Sequence, residues 1–218
     1  MMTIDAIIPA LNEAATVGRV VEALTRSGQI HRVIVVDNAS SDDTAARAIE
    51  AGATVVSCPM PGLGRAVKMG IRSSTAEVIL KTDADIDNWN PRWAEALQPP
   101  DSSTLSRATF RSPYDSFPVT RLVVQPLLAR LWPEAVRIPL PITGTYAFHR
   151  ELFDLNDLSD NWAFDISVVC AAVERQVSFH NVDVGILSDR HRDIDHYIPM
   201  ATDILDYFLT QYSERVIA

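Results

Sequence analysis

The chain of 218 residues contains only two cysteines, Cys58 and Cys170, which lie far apart in apolar stretches. This arrangement lacks the close cysteine spacing of zinc sites and of disulfide frameworks. We therefore predict that both thiols are small core residues in a reducing compartment, and that the protein is cytoplasmic.

Positive charge is also scarce, because 19 lysines and arginines stand against 28 acidic residues and give a net charge of −9. Nucleic-acid surfaces and anionic membrane surfaces need basic patches, so we predict neither partner. An anionic substrate would need local help from a metal ion or an arginine.

Long hydrophobic runs are absent as well. No segment approaches 18 continuous apolar residues, and the chain does not open on a basic region followed by an apolar stretch. We therefore predict no membrane insertion. There is no low-complexity run, internal repeat or linker, and 47% of the residues are hydrophobic. This composition predicts one globular domain over residues 1–218.

The first half of the chain alternates short apolar runs with amphipathic segments. The runs predict four strands, at residues 3–8, 31–37, 53–58 and 77–82. Helical periodicity follows the first run, with Val17, Val20, Val21 and Leu24 on one face. Continuous apolar strands that alternate with helices predict an α/β fold with a mostly parallel sheet and helices on both of its faces.

The second half is less regular. Its patterns predict strands at 105–110, 143–149 and 177–187, and helices at 93–97, 119–132, 162–175 and 198–216. We expect Pro126 to interrupt the second of these helices and residues 111–117 to form a mobile loop. The last helix is expected to turn five side chains inward: Ile204, Leu205, Phe208, Leu209 and Tyr212.

Two carboxylates, Asp83 and Asp85, end the fourth apolar run. Carboxylate oxygens are hard ligands suited to Mg²⁺ or Mn²⁺, which keep open positions for the phosphate oxygens of a substrate. The motif therefore indicates a metal and diphosphate site. The alternative is a solvated turn, because Asp is common in turns.

Polar residues follow each of the four predicted strands. They are Asn12 and Glu13, then Asp37 and Asn38, then the loop 59–64, then the two acids. Ligands of open parallel sheets bind outside the carboxyl ends of the strands, so the four loops are expected to line one pocket. Gly62 and Gly64 lead into a helix like an anion cradle, but the absence of a third spaced glycine argues against a nicotinamide dehydrogenase.

Several motifs together resemble the nucleotide-sugar glycosyltransferases of the family 2 type, which have the GT-A (Rossmann-like) fold. They are residues 8–13, 36–42, 62–66 and 83–85. Residues 119–128, 141–147 and 182–192 resemble the glucosyl-3-phosphoglycerate synthase-like group of that family. The resemblance covers residues 3–195, and the joint occurrence of the motifs is more specific than any one of them.

The resemblance implies a nucleotide-binding half, 1–87, and an acceptor-binding half, 88–218. The implied metal ligands are Asp85, also implied as catalytic, and His191, which would hold Mg²⁺ or Mn²⁺ on the diphosphate. The implied nucleotide-sugar-binding residues are Pro9, Ala10, Leu11, Glu13, Asp37, Asn38, Gly64, Arg65, Asp83 and Ala84. The implied acceptor-binding residues are Thr120, Gly144, Thr145, Tyr146 and Asp193.

The chain departs from the phosphoglycerate-type relatives at positions that bind phosphate. Phe117 and Pro118 replace a Gly-Arg pair that grips the phosphate of the acceptor. Leu63 replaces a lysine between the two glycines, so a contact with the diphosphate is either missing or made by Arg65 or Lys68. An acceptor-anion site could still come from Arg107, Arg111 and Arg121, although solvated arginines are the alternative. We therefore predict transfer of a sugar from a UDP-sugar to a small soluble hydroxyl compound other than 3-phosphoglycerate, with glucose as the leading candidate for the sugar.

Asp165 resembles the acid that serves as general base in inverting members of the family. In the phosphoglycerate-type group the matching residue contacts the donor sugar, so we predict retention of configuration. The alternative is a helix N-terminal acid without a catalytic role.

Two other functions stay open: a nucleotidyltransferase, and an inactive scaffold that binds a nucleotide-sugar. A homodimer is also predicted, with the apolar segment 122–132 as a candidate interface.

Overall fold

The computed structural model describes residues 2–112, 117–188 and 193–217, with side chains through residue 213. Its strands are β1 (Ile4–Ala10), β2 (Arg32–Asp37), β3 (Thr54–Ser57), β4 (Val78–Lys81), β5 (Thr104–Arg111), β6 (Tyr146–His149) and β7 (Ser178–Ile186). Its α-helices are α1 (Val17–Arg26), α2 (Thr44–Glu50), α3 (Leu63–Ser73), α4 (Arg92–Ala96), α5 (Gln125–Leu131), α6 (Phe164–Glu174) and α7 (Ile194–Ile217).

The strands form one seven-stranded sheet in the order β3-β2-β1-β4-β6-β5-β7. β1 pairs in parallel with β2 and β4, β2 with β3, and β5 with β7, whereas β6 is antiparallel to both of its neighbours. The predicted α/β fold with a mostly parallel sheet is therefore confirmed. The carboxyl ends of β1, β2 and β4 meet at one edge, which is where an open parallel sheet places a ligand site.

Separate apolar clusters cover the two faces of the sheet. One face packs against α1 and the other against α3 and α6. This explains why β1 and β4 consist entirely of buried residues. Gly70 lets α3 approach the sheet closely, because a Cβ atom there would lie 2.5 Å from Cγ2 of Ile7.

One of the two boundary predictions that rested on proline was wrong. β1 continues through Pro9 to Ala10, because β4 pairs with β1 only as far as Ile7 and the missing amide hydrogen lies beyond that ladder. The predicted interruption at Pro126 is confirmed, because the helix predicted over 119–132 is divided directly before this residue and Pro126 lies in the first turn of α5. The five residues before α5, Thr120–Val124, form a π-helical turn that carries the chain into α5.

The last helix was predicted correctly in type but only partly in orientation. Ile204 and Phe208 are buried against Trp132 and α6. Leu205, Leu209 and Tyr212 are instead 41%, 54% and 46% exposed, so their inward prediction was wrong. A third apolar cluster already fills the space beneath α7, and it accepts only the narrow face that carries Ile204 and Phe208.

Both cysteines are buried, as predicted, and neither is part of a disulfide. Within the candidate dimer segment, Leu128 and Trp132 are also buried, whereas Leu122 is 76% exposed. In the described part of the chain, no helix has the length and apolar character required to cross a membrane.

We expect Asp5→Asn to destabilise the fold and change its acid sensitivity. The buried Asp5 carboxylate accepts hydrogen bonds from Ser74, Arg32 and His31 at 2.7, 2.9 and 3.1 Å. Burial alone would raise the pKa of Asp5, but hydrogen bonds from Ser74, Arg32 and His31 hold it below its usual value. This stabilisation is therefore complete above about pH 4 and is lost as the pH falls through the lowered pKa of the folded state.

The expected loss for Asp5→Asn at pH 7 is about 1–3 kcal/mol in the free energy of unfolding, measured by urea denaturation between pH 2 and pH 7. Glu22→Gln is the matched control, because the Glu22 side chain is 56% exposed and its ion pair with Arg26 lies on the surface. Identical pH profiles for the two variants would contradict the assignment.

Candidate active site

A small cavity opens beside the carboxyl end of β4 and has a volume of about 120 Å³. Asp83 and Asp85 supply its only charged side chains among the described residues that line it. The rest of the wall is formed by Ile86, Phe110, Phe117, Pro118, Val119, Thr120, Ile142, Thr143, Leu187, Tyr197 and Met200. Of the four loops that were predicted to line one pocket, only the loop after β4 contributes to this cavity, and the rest of the described wall comes from the second half of the chain.

A buried lysine ties Asp83 to a second acid. Nζ of Lys81, which has no exposed surface, lies 2.7 Å from Oδ1 of Asp83 and 3.2 Å from Oδ2 of Asp165. The hydroxyl of Tyr146 donates to Oδ1 of Asp165 at 2.7 Å. Both oxygens of the Asp165 carboxylate are thus bonded within the protein, and Asp165 lies behind Asp83 and outside the cavity wall.

The charges in this cluster support one another. Burial disfavours the Lys81 ammonium, but the Asp165 and Asp83 carboxylates outweigh it and raise the pKa of Lys81 above its usual value. Burial, together with Asp165, raises the pKa of Tyr146, so the phenol stays neutral and donates. Burial lowers the pKa of Arg107 to about 10, which leaves the guanidinium charged at neutral pH. The cluster therefore keeps a fixed hydrogen-bond direction near neutral pH.

Gly144 completes the support of Asp83. Its backbone has a φ of +70°, and a Cβ atom there would collide with Oδ2 of Asp83. Only glycine allows the carboxylate to rest against the backbone at this point.

We accordingly expect Gly144→Ala to displace Asp83 and to lower kcat/KM of the sugar transfer that the resemblance implies on the order of 10²-fold, as a misplacement near 1 Å can do. Gly28→Ala is the matched control, because Gly28 has a similar φ of +65° but open space at its Cβ position. Steady-state kinetics and thermal unfolding of both variants check this. Equal kinetic losses in the two variants would contradict a specific role for Gly144.

Asp85 contributes a hard carboxylate donor directly to the cavity wall. Within residues 2–112, 117–188 and 193–217, no three His, Cys, Asp or Glu side chains cluster as a metal site. The other predicted ligand, His191, lies outside the described residues. The oxygen donor of Asp85, at the sheet edge where a diphosphate would enter, fits a Mg²⁺ or Mn²⁺ ion.

The loops after β1 and β2 interlock. The Asn12 amide donates to Oγ of Ser40 at 3.0 Å, and the Glu13 amide donates to Oγ1 of Thr44 at 2.8 Å. These bonds hold the predicted nucleotide-sugar residues in one place. Pro9, Ala10 and Glu13 are buried, Leu11 is exposed, and Asp37 is half-buried at the end of β2.

The side chain of Asn38 forms hydrogen bonds within the protein. Its side-chain amide donates to the carbonyls of Met60 at 2.8 Å and Cys58 at 3.3 Å, and its Oδ1 accepts from the Gly62 amide at 2.9 Å. The Asn38 side chain therefore braces the loop after β3, and its contact with uracil stays a prediction.

The start of α3 does not form the anion cradle that the glycine spacing suggested. The Gly64 and Arg65 amides donate to the carbonyls of Asn161 and Asp160, at 3.2 and 2.9 Å. Nζ of Lys68 lies 2.5 Å from the Leu158 carbonyl and 2.6 Å from the Asp160 carboxylate. A diphosphate contact from this region would have to come from the Arg65 side chain, which is 44% exposed.

The predicted acceptor residues are divided between the cavity and the core. Thr120 lines the cavity, and Gly144 touches Asp83 from behind. Thr145 is buried with its hydroxyl 2.9 Å from that of Thr82, and Tyr146 is buried against Asp165. Asp193 is exposed and does not line the cavity. Ala84 is buried beneath the acidic motif.

Sequence reasoning missed Lys81 and most of the apolar wall. A signal for Lys81 was present, since a lysine in a continuous apolar strand must be paired if the strand is buried. No comparable signal marked Ile142 or Met200, because apolar residues in loops and helices usually belong to the core.

Comparison with known proteins identifies relatives of the chain. Residues 5–162 match the family model of Glycosyl transferase family 2. The glucosyl-3-phosphoglycerate synthase of Mycolicibacterium smegmatis is 29% identical over 234 residues, which cover 96% of this chain and 77% of that protein. The protein of the same name from Mycobacterium tuberculosis is 28% identical and has 73% of its length covered.

Solved structures agree with this relationship. Glucosyl-3-phosphoglycerate synthase from Mycobacterium tuberculosis in complex with Mn²⁺, UDP-glucose and phosphoglyceric acid superposes with a TM-score of 0.87 and 29% identity, over 96% of this chain and 79% of that one. A crystal structure described as a mycobacterial protein has a TM-score of 0.88 and 30% identity, over 96% of this chain and 74% of that one. These similarities confirm the fold that the resemblance implied.

Proposed function

The chain belongs to glycosyl transferase family 2. We propose that it transfers a sugar from a UDP-sugar to a small hydroxyl acceptor, with glucose as the leading candidate for the sugar. The observation that carries this proposal is the pair of carboxylates at the carboxyl end of β4, with Asp85 in the cavity wall and Asp83 held by Lys81. Relatives crystallised with Mn²⁺ and UDP-glucose support the choice of donor.

Asp85 and His191 are the residues that would hold Mg²⁺ or Mn²⁺ in this proposal. When bound, the ion offsets the negative charge on the departing diphosphate. The nucleotide lies over the 1–87 half, against Leu11, Glu13 and Asp37. The acceptor oxygen forms a bond to the anomeric carbon, the bond from that carbon to the diphosphate breaks, and the hydroxyl proton leaves with UDP.

The position of Asp165 supports retention of configuration. A general base must come within hydrogen-bond reach of the acceptor hydroxyl. Asp165 lies outside the cavity wall, and both of its carboxylate oxygens are bonded, to Lys81 and to Tyr146. We assign Asp165 to positioning Lys81 and, through it, Asp83, which faces the donor sugar.

Calorimetric titration of nucleoside diphosphates and their sugars, with and without Mn²⁺, tests the proposal. We expect UDP and UDP-glucose to bind only with the metal, binding to disappear in His191→Ala, and slow release of UDP from UDP-glucose. Metal-dependent binding without any UDP release would instead favour the inactive scaffold. The absence of binding by every nucleotide would overturn the donor assignment.

Two predictions remain to be tested by other means. The homodimer is checked by sedimentation velocity of the purified chain, and the cytoplasmic location by cell fractionation.

A nucleotidyltransferase is disfavoured by the family assignment and by the loop after β1, which offers no basic residue for a triphosphate.

A further inference from the structure

We infer that Trp89 is a positioning residue that holds the acidic loop, residues 83–88, in the shape that presents Asp85 to a metal ion. The inference rests on the proposed function, because it concerns the ion that Asp85 would hold on the diphosphate. It is carried by a buried hydrogen-bond chain of three side chains at the base of the loop, Trp89, Thr82 and Thr145.

The hydrogen-bond chain joins the two ends of the acidic loop. Nε1 of Trp89 donates to Oγ1 of Thr82 at 3.0 Å, and Oγ1 of Thr82 lies 2.9 Å from Oγ1 of Thr145. Thr82 and Thr145 have no exposed surface, and Trp89 is 6% exposed. A hydroxyl has one hydrogen and two lone pairs, so Thr82 can make both bonds at once. Because these groups are buried, the loss of one bond leaves a polar atom without a partner.

The same chain encloses Asp83. The Thr82 amide donates to the Ile7 carbonyl at 3.1 Å, which ties the start of the loop to β1. Thr82 directly precedes Asp83 in the sequence. Thr145 directly follows Gly144, whose backbone rests against the carboxylate of this acid. One hydrogen bond therefore links the two segments on either side of the carboxylate, and the indole brings the far end of the loop to the same point.

Apolar packing sets which residues of the loop face the cavity. Ala84 and Ile86 are 3% and 2% exposed and belong to the same apolar cluster as Trp89. Asp83 and Asp85, which alternate with them, are half-buried and line the cavity. A shift of the loop on its apolar support would therefore move the Asp85 carboxylate in the cavity wall.

Further contacts of the acidic loop lie at the surface. The Asn88 side chain donates to the Ile186 carbonyl at 2.7 Å and accepts from the Ser188 amide at 2.8 Å. The Asp87 carboxylate pairs with Arg19 at 2.7 Å. Water can replace exposed hydrogen bonds, and exposed ion pairs contribute little. We therefore expect the buried bond from the indole to be the contact whose loss displaces the loop most.

Trp93 distinguishes this role from simple core packing. Its ring centroid lies 5.5 Å from that of Trp89, it is 9% exposed, and it belongs to the same apolar cluster. Among the residues that the structure describes, its indole nitrogen donates no hydrogen bond to the acidic loop or to Thr82. Trp93→Phe therefore removes the same atoms from the same cluster as Trp89→Phe does, but it leaves the hydrogen-bond chain intact.

The test is the Mn²⁺ concentration that gives half-maximal binding of UDP, measured by calorimetry, with thermal unfolding recorded for each variant. We expect Trp89→Phe to raise this concentration about tenfold, since groups that orient metal ligands contribute on the order of 10–100-fold to metal affinity. Trp93→Phe should leave the concentration unchanged, although both variants should unfold at a lower temperature.

Thr82 allows the same bond to be removed from its other end. Thr82→Val removes the hydroxyl but keeps a side chain of similar shape, so it should raise the Mn²⁺ concentration at least as much as Trp89→Phe. Thr82→Ser keeps the hydroxyl and should retain the affinity of the unmodified chain. The double variant of Thr82→Val and Trp89→Phe should bind no more weakly than Thr82→Val alone, because it leaves no indole donor without an acceptor. Multiplied losses in the double variant would contradict a bond between the two side chains.

The results separate this inference from the proposed function. If UDP binds to the unmodified chain with Mn²⁺ and the two tryptophan variants require the same Mn²⁺ concentration, the positioning role of Trp89 is overturned and the donor assignment stands. If the unmodified chain binds no UDP at any Mn²⁺ concentration, the proposed function fails and the inference about Trp89 fails with it.

Discussion

Asp85→Ala should abolish metal-dependent binding of UDP and reduce glycosyl transfer on the order of 10³-fold. The reason is that a divalent ion supplies several kcal/mol of charge stabilisation to a departing diphosphate, and Asp85 is the carboxylate in the cavity wall that would hold this ion. Calorimetry with UDP across a Mn²⁺ series and initial rates at saturating UDP-glucose measure the two effects.

Asp87→Ala is the matched control for this prediction. Asp87 lies two positions further along the same loop, but its carboxylate pairs with Arg19 at the surface, where such a pair contributes little. The control should retain the affinity of the unmodified chain. If Asp85→Ala binds UDP with unchanged affinity and unchanged dependence on Mn²⁺, the metal assignment is wrong.

Lys81→Met is expected to have the second large effect, on both stability and activity. The substitution leaves the Asp165 carboxylate buried without its cation and removes the group that holds Oδ1 of Asp83. Removal of one partner from a buried ion pair costs about 3–5 kcal/mol, so urea denaturation at pH 7 should show a loss of that order. Transfer activity should fall with the displacement of Asp83.

The pH dependence of the variant follows from the charges that remain. In the unmodified chain the two carboxylates raise the pKa of Lys81, so its stabilising effect persists across neutral pH and is lost only at alkaline pH. In Lys81→Met, burial and mutual repulsion should raise the pKa of a carboxyl in the folded state above its unfolded value. The folded variant would then bind more protons, and its stability should increase as the pH falls through that raised pKa.

A double variant separates this electrostatic effect from simple loss of packing. Lys81→Met combined with Asp165→Asn removes the uncompensated charge while keeping a group that can bond to the Tyr146 hydroxyl. We expect the double variant to recover part of the stability lost in Lys81→Met, with a coupling energy of about 0.5–3 kcal/mol. Strict additivity of the two single changes would contradict an interaction between the two side chains.

Local patterns were sufficient for much of the fold. The four strands of the first half, their parallel pairing and the acids after β4 follow from continuous apolar runs separated by amphipathic helices. Such runs must be buried on both faces, and this requirement leaves few topologies. The position of the crevice at the carboxyl ends follows from the same geometry.

Other features depended on contacts between distant segments. The glycines before α3 have the spacing of an anion cradle, yet the loop at residues 158–161 occupies the amides of Gly64 and Arg65. Asn38 was predicted to contact a base, and the structure adds that its side chain also braces the loop 58–62. A sequence motif specifies which hydrogen-bond donors and acceptors are present. It does not specify which groups of the folded chain they bond to.

The sequence by itself determined the α/β class, the edge of the sheet that bears the site and the acids that mark it, because strand burial and turn chemistry are local properties. Only the tertiary structure decided that Lys81 joins Asp83 to Asp165, that Leu205 and Leu209 face outward, and that an apolar wall stands opposite the acids. These features depend on which segments, up to about a hundred residues apart, cover one another, and no local periodicity encodes that choice.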